Sequence, residues 1–164
     1  MHAWTENFSR LEMMMRIGHL TLVKEIGRGG MASVWLAQDK RSSRKFAVKV
    51  IRPELAHNHE MNQRFLNEVR AISQLSHPGI VKLYKYGVLE PLESEGLGFI
   101  SSPGSPYCVM EYHHRGTYKP LGIIQDWPQL RTTLSDILKA VSFIHAHGIT
   151  HCDLKPSNLL RGEK

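Results

Sequence analysis

Hydrophobic and polar positions alternate through three successive stretches near the start of the chain. His19–Ile26 is rich in β-formers and stops at Gly27, Ala32–Ala37 follows a glycine cluster, and Lys45–Ile51 is closed by Arg52-Pro53. The turn Asp39–Ser43 separates the second from the third, so the pattern predicts an antiparallel meander. Near residue 59 the period changes. Met61, Phe65, Val69 and Ile72 fall on one stripe of a helix over 59–75, ended by His77-Pro78-Gly79. Ile80–Tyr86 and Tyr107–Glu111 read as two more strands, and the glycine-, proline- and serine-rich stretch Gly87–Pro106 between them predicts a surface loop. A second helix starts at Asp126-Trp127-Pro128, with Asp126 as N-cap and Pro128 in its first turn. Its apolar face is Leu130, Leu134, Ile137, Leu138, Val141 and Ile144, and Gly148 suits the left-handed position that ends it. Trp35 and Trp127 are expected to be packing residues, and Ile149–Leu160 reads as a polar loop with apolar flanks.

Composition narrows the function classes. Of 164 residues 41% are hydrophobic, enough for a core, which excludes a disordered tail as the whole answer. Lys and Arg number 21 against 15 Asp and Glu, a net charge of +6 that raises the question of nucleic acid. The densest basic run, Lys40 to Arg52, lies partly on a turn where exposed charge is ordinary, and only Phe46 interleaves, so no nucleic-acid partner is expected. No apolar run approaches the ~20 residues of a membrane-spanning helix. Residues 1–15 carry Trp4, Glu6, Arg10 and Glu12 and lack the apolar centre of a secretory signal. Cys108 and Cys152 are too few for a disulfide scaffold and point to reduced thiols and a cytoplasmic location, with Cys152 expected to be buried and inert. His57 and His59, His113 and His114, and His145 and His147 lack the spacing of common zinc sites.

Three constellations carry chemistry. Gly27-Arg28-Gly29-Gly30-Met31-Ala32-Ser33-Val34 joins the first two strands; its glycines let the backbone turn tightly and approach a ligand, and exposed N–H groups there suit phosphate oxygens. Alone, such a turn is more often a structural hairpin than a phosphate cradle. A strand rather than a helix follows it, which excludes a dinucleotide fingerprint, and no Gly-Lys-Ser/Thr makes it a Walker loop. Lys49 stands in the apolar strand Ala47-Val48-Lys49, and Glu68 flanks the buried stripe of the first helix. Glu68 either orients Lys49 or pairs with Arg64 on the surface. Finally, His151-Cys152-Asp153-Leu154-Lys155-Pro156-Ser157-Asn158 puts an acid, a lysine and an amide in one loop, where they can accept a proton, neutralise a phosphate and ligate a metal.

Glycine-rich hairpin, Val-x-Lys strand, helix glutamate and His-x-Asp-x-Lys-x-x-Asn, in that order, resemble the eukaryotic-type protein kinase family over about residues 16 to 160. The Gly-x-Gly-Gly-Met-Ala-x-Val-Trp form is similar to the bacterial serine/threonine branch. That resemblance implies an α+β, protein kinase-like fold: an antiparallel-sheet N-lobe with one regulatory helix, plus the beginning of a helical C-lobe. It implies an N-terminal extension at 1–15, N-lobe and hinge at 16–112, and partial C-lobe at 113–164. It further implies ATP and Mg2+ as cofactors and protein serine or threonine hydroxyls as substrate. Ile26, Gly27, Gly29, Gly30 and Val34 would cover the nucleotide and Ala47 would line the adenine pocket. Lys49, oriented by Glu68, would hold the α/β-phosphates. Met110 would be the gatekeeper, and the backbone of Glu111 and Tyr112 would read the adenine edge. Asp153 would accept the hydroxyl proton, Lys155 would contact the transferred phosphate and Asn158 would bind magnesium.

Three departures qualify the resemblance. Ala32 replaces the third loop glycine, and Cys152 replaces the usual arginine, which removes one contact to a phosphorylated activation loop. The third is that no Asp-Phe-Gly follows Asn158 before Lys164. The chain is therefore expected to be a truncated kinase, with apolar surface left on the second helix and little phosphotransfer by itself. A non-catalytic nucleotide-binding or interaction module derived from a kinase stays open beside it.

Overall fold

The three alternating stretches form the centre of a six-stranded antiparallel sheet, in a computed structural model that describes residues 15–91, 97, 100–118, 124 and 126–162. Its strands are β1 (Arg16–Ile17), β2 (Leu20–Arg28), β3 (Ala32–Asp39), β4 (Lys45–Ile51), β5 (Leu83–Val88) and β6 (Pro106–Glu111). They are ordered β1-β2-β3-β4-β6-β5. A 3-10 turn at Pro53–Leu55 precedes helix α1 (His59–Ser73), and another at Pro156–Asn158 follows helix α2 (Trp127–Ala146). The chain divides into two units, one reaching to Ser73 and resuming at Lys82–Tyr112, the other holding Gln74–Val81 and the residues from His113 onward. Among the described residues no helix is long and apolar enough to cross a membrane.

Strand alternation gives the sheet two apolar faces. Trp35, Ala37, Phe46, Val48, Val50, Tyr107 and Val109 point to one core. Ala32, Ile51 and Cys108 point to the other, where α1 inserts Phe65 and Val69. Those two are the buried members of the helical stripe, while Met61 and Ile72 are half-buried at its margins. The turn after β3 is built as its composition implies: Asp39 accepts from the Arg41 amide and the Ser42 hydroxyl, which hold its carboxyl below the usual range.

The described part of Gly87–Pro106 is only partly the surface loop its composition predicts, since several of its residues are buried. β5 runs on through Gly87, and Leu89, Leu97 and Ile100 are buried in the first core. The Ser101 hydroxyl donates to the Ile51 carbonyl at 2.8 Å, the Leu89 amide donates to Ser105 O and the Gly104 amide to Leu89 O. Three apolar residues without period are invisible to a periodicity test, yet each buries its side chain. β5 also begins at Leu83 rather than Ile80. Of the expected N-terminal extension only Met15 is described, and it packs against the first core.

In the second unit Asp126 caps α2 by accepting from the Gln129 amide at 2.8 Å. At the other end Ile149 N–H donates to Ile144 and Gly148 N–H to His145, a Schellman closure that needs the left-handed Gly148, φ 72°. His77 stacks on Phe143, which stacks on His147, with centroids 4.8 and 4.4 Å apart. Leu134 and Leu138 on α2 are exposed, and Trp127, expected to pack, is 70% exposed. Trp127 occupies the first helical turn, where nothing among the described residues covers its ring.

Candidate active site

In the first unit the ladder gathers Val34, Ala47, Lys49 and Met110, four of the expected nucleotide-binding residues, onto one sheet face. Val34 lies opposite Lys49, and Lys49 opposite Cys108. Leu36 lies opposite Ala47, and Ala47 opposite Met110. The two rows are two residues apart, so all six side chains share the face on which α1 packs. Gly27 extends the first row by pairing with Val34. Ile26 is the extra residue where the β2–β3 register shifts; it has no ladder partner and is largely exposed.

The glycine-rich turn closes with the Gly29 amide on the Ala32 carbonyl, 2.9 Å. None of Gly27, Gly29 and Gly30 has a positive φ. A Cβ at Gly30 would meet nothing within 4 Å, and one at Gly29 only the Ala32 oxygen at 3.6 Å. The chain's own packing therefore does not demand glycine at these two positions, and their side-chain space is open. Arg28 is fixed by a bidentate pair with Glu25, which pulls the Glu25 carboxyl below its usual range. Arg52, which no spacing in the sequence singles out, reaches back to the turn. Its amide donates to Met31 O at 3.1 Å and its Nη1 to Gly30 O at 3.5 Å, while Nη2 pairs with Glu54 at 3.1 Å.

Lys49 is half-buried, with its Nζ 5.4 Å from the centre of the Phe65 ring. It forms no ion pair with Glu68, which is exposed. The surface alternative is also not realised, because Arg64 pairs with Glu60 at 2.7 Å. Both Lys49 and Glu68 act on the buried Cys108 thiol, pushed up to about 11 chiefly by burial. At the end of β6 Met110 is half-buried against the second core, and the Glu111 amide donates to Lys82 O at 2.9 Å. The Glu111 N–H is thus already engaged within the chain.

The second unit brings the three expected loop residues together. Lys155 Nζ lies 2.8 Å from Asp153 Oδ2, and Asn158 Nδ2 donates to the same oxygen at 2.9 Å and to the Asp153 carbonyl at 2.8 Å. A ring of bonds thereby closes within six residues, stiffened by the 3-10 turn Pro156–Asn158. Lys155 first, then Asn158, holds the exposed Asp153 carboxyl below its ordinary range. Thr117 and Leu160 form a bridge behind the loop. Cys152, expected to be buried, is exposed and takes φ 57°, the left-handed region uncommon for a residue other than glycine.

Each unit, taken by itself, holds groups that suit part of a magnesium nucleotide. In the first unit, open backbone at the glycine turn and a lysine that has no carboxylate partner among the described residues suit phosphates. The amide of Asn158 spends its donors on Asp153, leaving its oxygen as a hard ligand. Among the described residues no group of three acidic, histidine or cysteine side chains makes a metal site, so phosphate oxygens would have to complete the coordination.

The sequence model of the protein kinase domain matches residues 20–164. The chain belongs to the protein kinase family. It is 35% identical over 150 residues to the probable serine/threonine-protein kinase PknB of Bifidobacterium longum, covering 90% of this chain and 21% of that protein. It is 36% identical over 139 residues to the serine/threonine-protein kinase PknB of Mycobacterium leprae, covering 82% and 21%. With the serine/threonine-protein kinase PknD of Chlamydia muridarum it shares 35% over 156 residues, 86% of this chain and 15% of that one. The chain thus spans about a fifth or less of the length of these curated kinases. A solved structure described as PpkA-294 apo form superposes with a TM-score of 0.73 at 22% identity, covering 92% of this chain and 57% of the other. That likeness establishes the kinase-like α+β fold.

Proposed function

We propose that the chain carries the nucleotide-binding and catalytic-loop parts of an enzyme that transfers the γ-phosphoryl group of ATP to serine or threonine hydroxyls of proteins. The Asp153–Lys155–Asn158 cluster is the observation that carries this reading. Residues 16–112 and 113–164 are its N-lobe with hinge and its partial C-lobe. Supporting placement in the cytoplasm, Cys108 and Cys152 are both free.

Each residue has a role that its chemistry supports. Val34, Ala47 and Met110 offer an apolar face to a purine. Gly27, Gly29 and Gly30 let backbone amides approach phosphates, and Lys49 adds the cation for the α/β-phosphates. Glu68 reaches Lys49 after a change in its side chain or in the rotation of α1. Magnesium bound with ATP would neutralise charge on the transferred phosphoryl group. Asp153 orients the substrate hydroxyl and takes its proton as the oxygen bonds to phosphorus and the bond to the ADP oxygen breaks. A carboxylate held low is a weak base, so it accepts that proton only late, when the hydroxyl has become acidic. Lys155 offsets charge on the moving phosphoryl group, and Asn158 supplies one oxygen to magnesium.

The protein recovered from its own cells, incubated with γ-labelled ATP, magnesium and a serine- and threonine-containing protein, tests this. Label in phosphoserine or phosphothreonine that falls by 100-fold or more with Asp153→Asn, on the order general-base loss brings, is expected. Label that survives Asp153→Asn would overturn the role of the cluster.

A further inference from the structure

Arg52 sits one residue beyond β4, yet it touches the tip of the glycine-rich turn from two atoms. Ala32 is opposite Ile51 in the ladder, so the end of β4 lies directly beside the start of β3. Arg52 continues that line past the last ladder pair. Its amide takes the Met31 carbonyl and its guanidinium takes the Gly30 carbonyl. Glu54 holds the guanidinium from its other side, and Nε is buried without a partner. That burial costs free energy, so the side chain is fixed in this pose at some expense.

A trans peptide points its C=O and its following N–H in opposite directions. Fixing the Gly30 oxygen on Arg52 therefore turns the Met31 N–H away from Arg52. Among the described residues neither the Gly30 nor the Met31 N–H has an acceptor in the chain. Two adjacent unused amides on a carbonyl-anchored tip are donors waiting for an anion. The surrounding charges hold the frame: Arg28 pairs with Glu25, and Arg52 with Glu54. The pairs also sense each other, since Arg52 contributes to the lowering of Glu25 and Arg28 to that of Glu54.

We propose that Arg52 is a positioning residue for phosphate binding: it grips the Gly30 and Met31 carbonyls so that the tip amides face the phosphate chain of the nucleotide. This rests on the nucleotide-binding reading above and deepens it. Arg52 acts through the turn and need not touch the ligand.

Calorimetric titration of the chain with magnesium ATP and, separately, with adenosine tests the proposal. Adenosine has no phosphates, so a phosphate-positioning residue leaves its affinity unchanged. Arg52→Ala is expected to weaken ATP about fivefold, the worth of one ordinary hydrogen bond, and adenosine not at all. Arg52→Lys, which keeps the charge and loses the planar fork, is expected to stay weak. Equal loss for ATP and adenosine would mean general disturbance of the lobe and overturn the proposal. So would full recovery in Arg52→Lys, which would assign the effect to charge alone, or unchanged ATP binding in Arg52→Ala. A wild-type chain that binds neither ligand would instead overturn the nucleotide reading itself.

Discussion

Asn158 binds Asp153 twice, once through the carboxylate and once through the backbone carbonyl. The side chain proposed to offer an oxygen to magnesium is therefore also the one that fixes the carboxylate proposed as general base. With Lys155 on the same carboxylate oxygen, charge and orientation at this position are set by two neighbours in one loop.

The titration of Asp153 follows. Lys155→Met removes the larger cause of its lowered value and Asn158→Ala the smaller, so the carboxyl should titrate higher in both variants and highest in Lys155→Met. The ionised form is favoured in the folded state, so this contribution to stability is present above about pH 4 and fades as pH falls through the lowered folded value. Carbon-detected NMR titration of the Asp153 carboxyl checks it. An unmoved midpoint in Lys155→Met would show that the ion pair does not persist in solution.

Two glycines should respond very differently to alanine. A Cβ at Gly79 would lie 3.0 Å from the Ala140 Cβ and 3.2 Å from the His77 ring, with little room for either to yield. Gly79→Ala should cost about 1–3 kcal/mol in urea unfolding of its unit. Gly30→Ala, in open space without a positive φ, should stay within about 0.5 kcal/mol. A loss in Gly30→Ala as large as in Gly79→Ala would contradict the open turn.

The thiols should separate cleanly. Cys152 is exposed and Cys108 buried, with its thiol pushed up to about 11. An aromatic disulfide reagent at pH 8 should titrate one thiol in the native chain and two in denaturant, and Cys152→Ser should remove the native signal. Two fast thiols in the native chain would mean that the α1 face of the sheet opens readily.

Much of this was readable in the chain because it is local. Asp126 and Gly148 bound α2 by hydrogen bonds within a turn of themselves, and Asp153, Lys155 and Asn158 meet because five residues cannot separate them far. The kinase-like order of motifs placed Val34, Ala47, Lys49 and Met110 in one fold, and the ladder brings them to one face. What stayed hidden depends on distant packing. Leu89, Leu97 and Ile100 are buried without periodicity, Trp127 is left uncovered, and Cys152 is turned outward by its own backbone. Whether Glu68 meets Lys49 depends on the rotation of α1 about its axis, which residue spacing along the helix does not fix.

The Val34–Ala47–Lys49 face and the glycine turn are proposed to bind a nucleotide through its phosphates. Calorimetric titration of the folded chain with magnesium ATP, against Lys49→Ala, tests it most directly. Saturable binding that weakens about tenfold or more without the ammonium is predicted, the scale of a charge-assisted hydrogen bond. Equal affinity in the two proteins, or no binding by the folded wild-type chain, would contradict it.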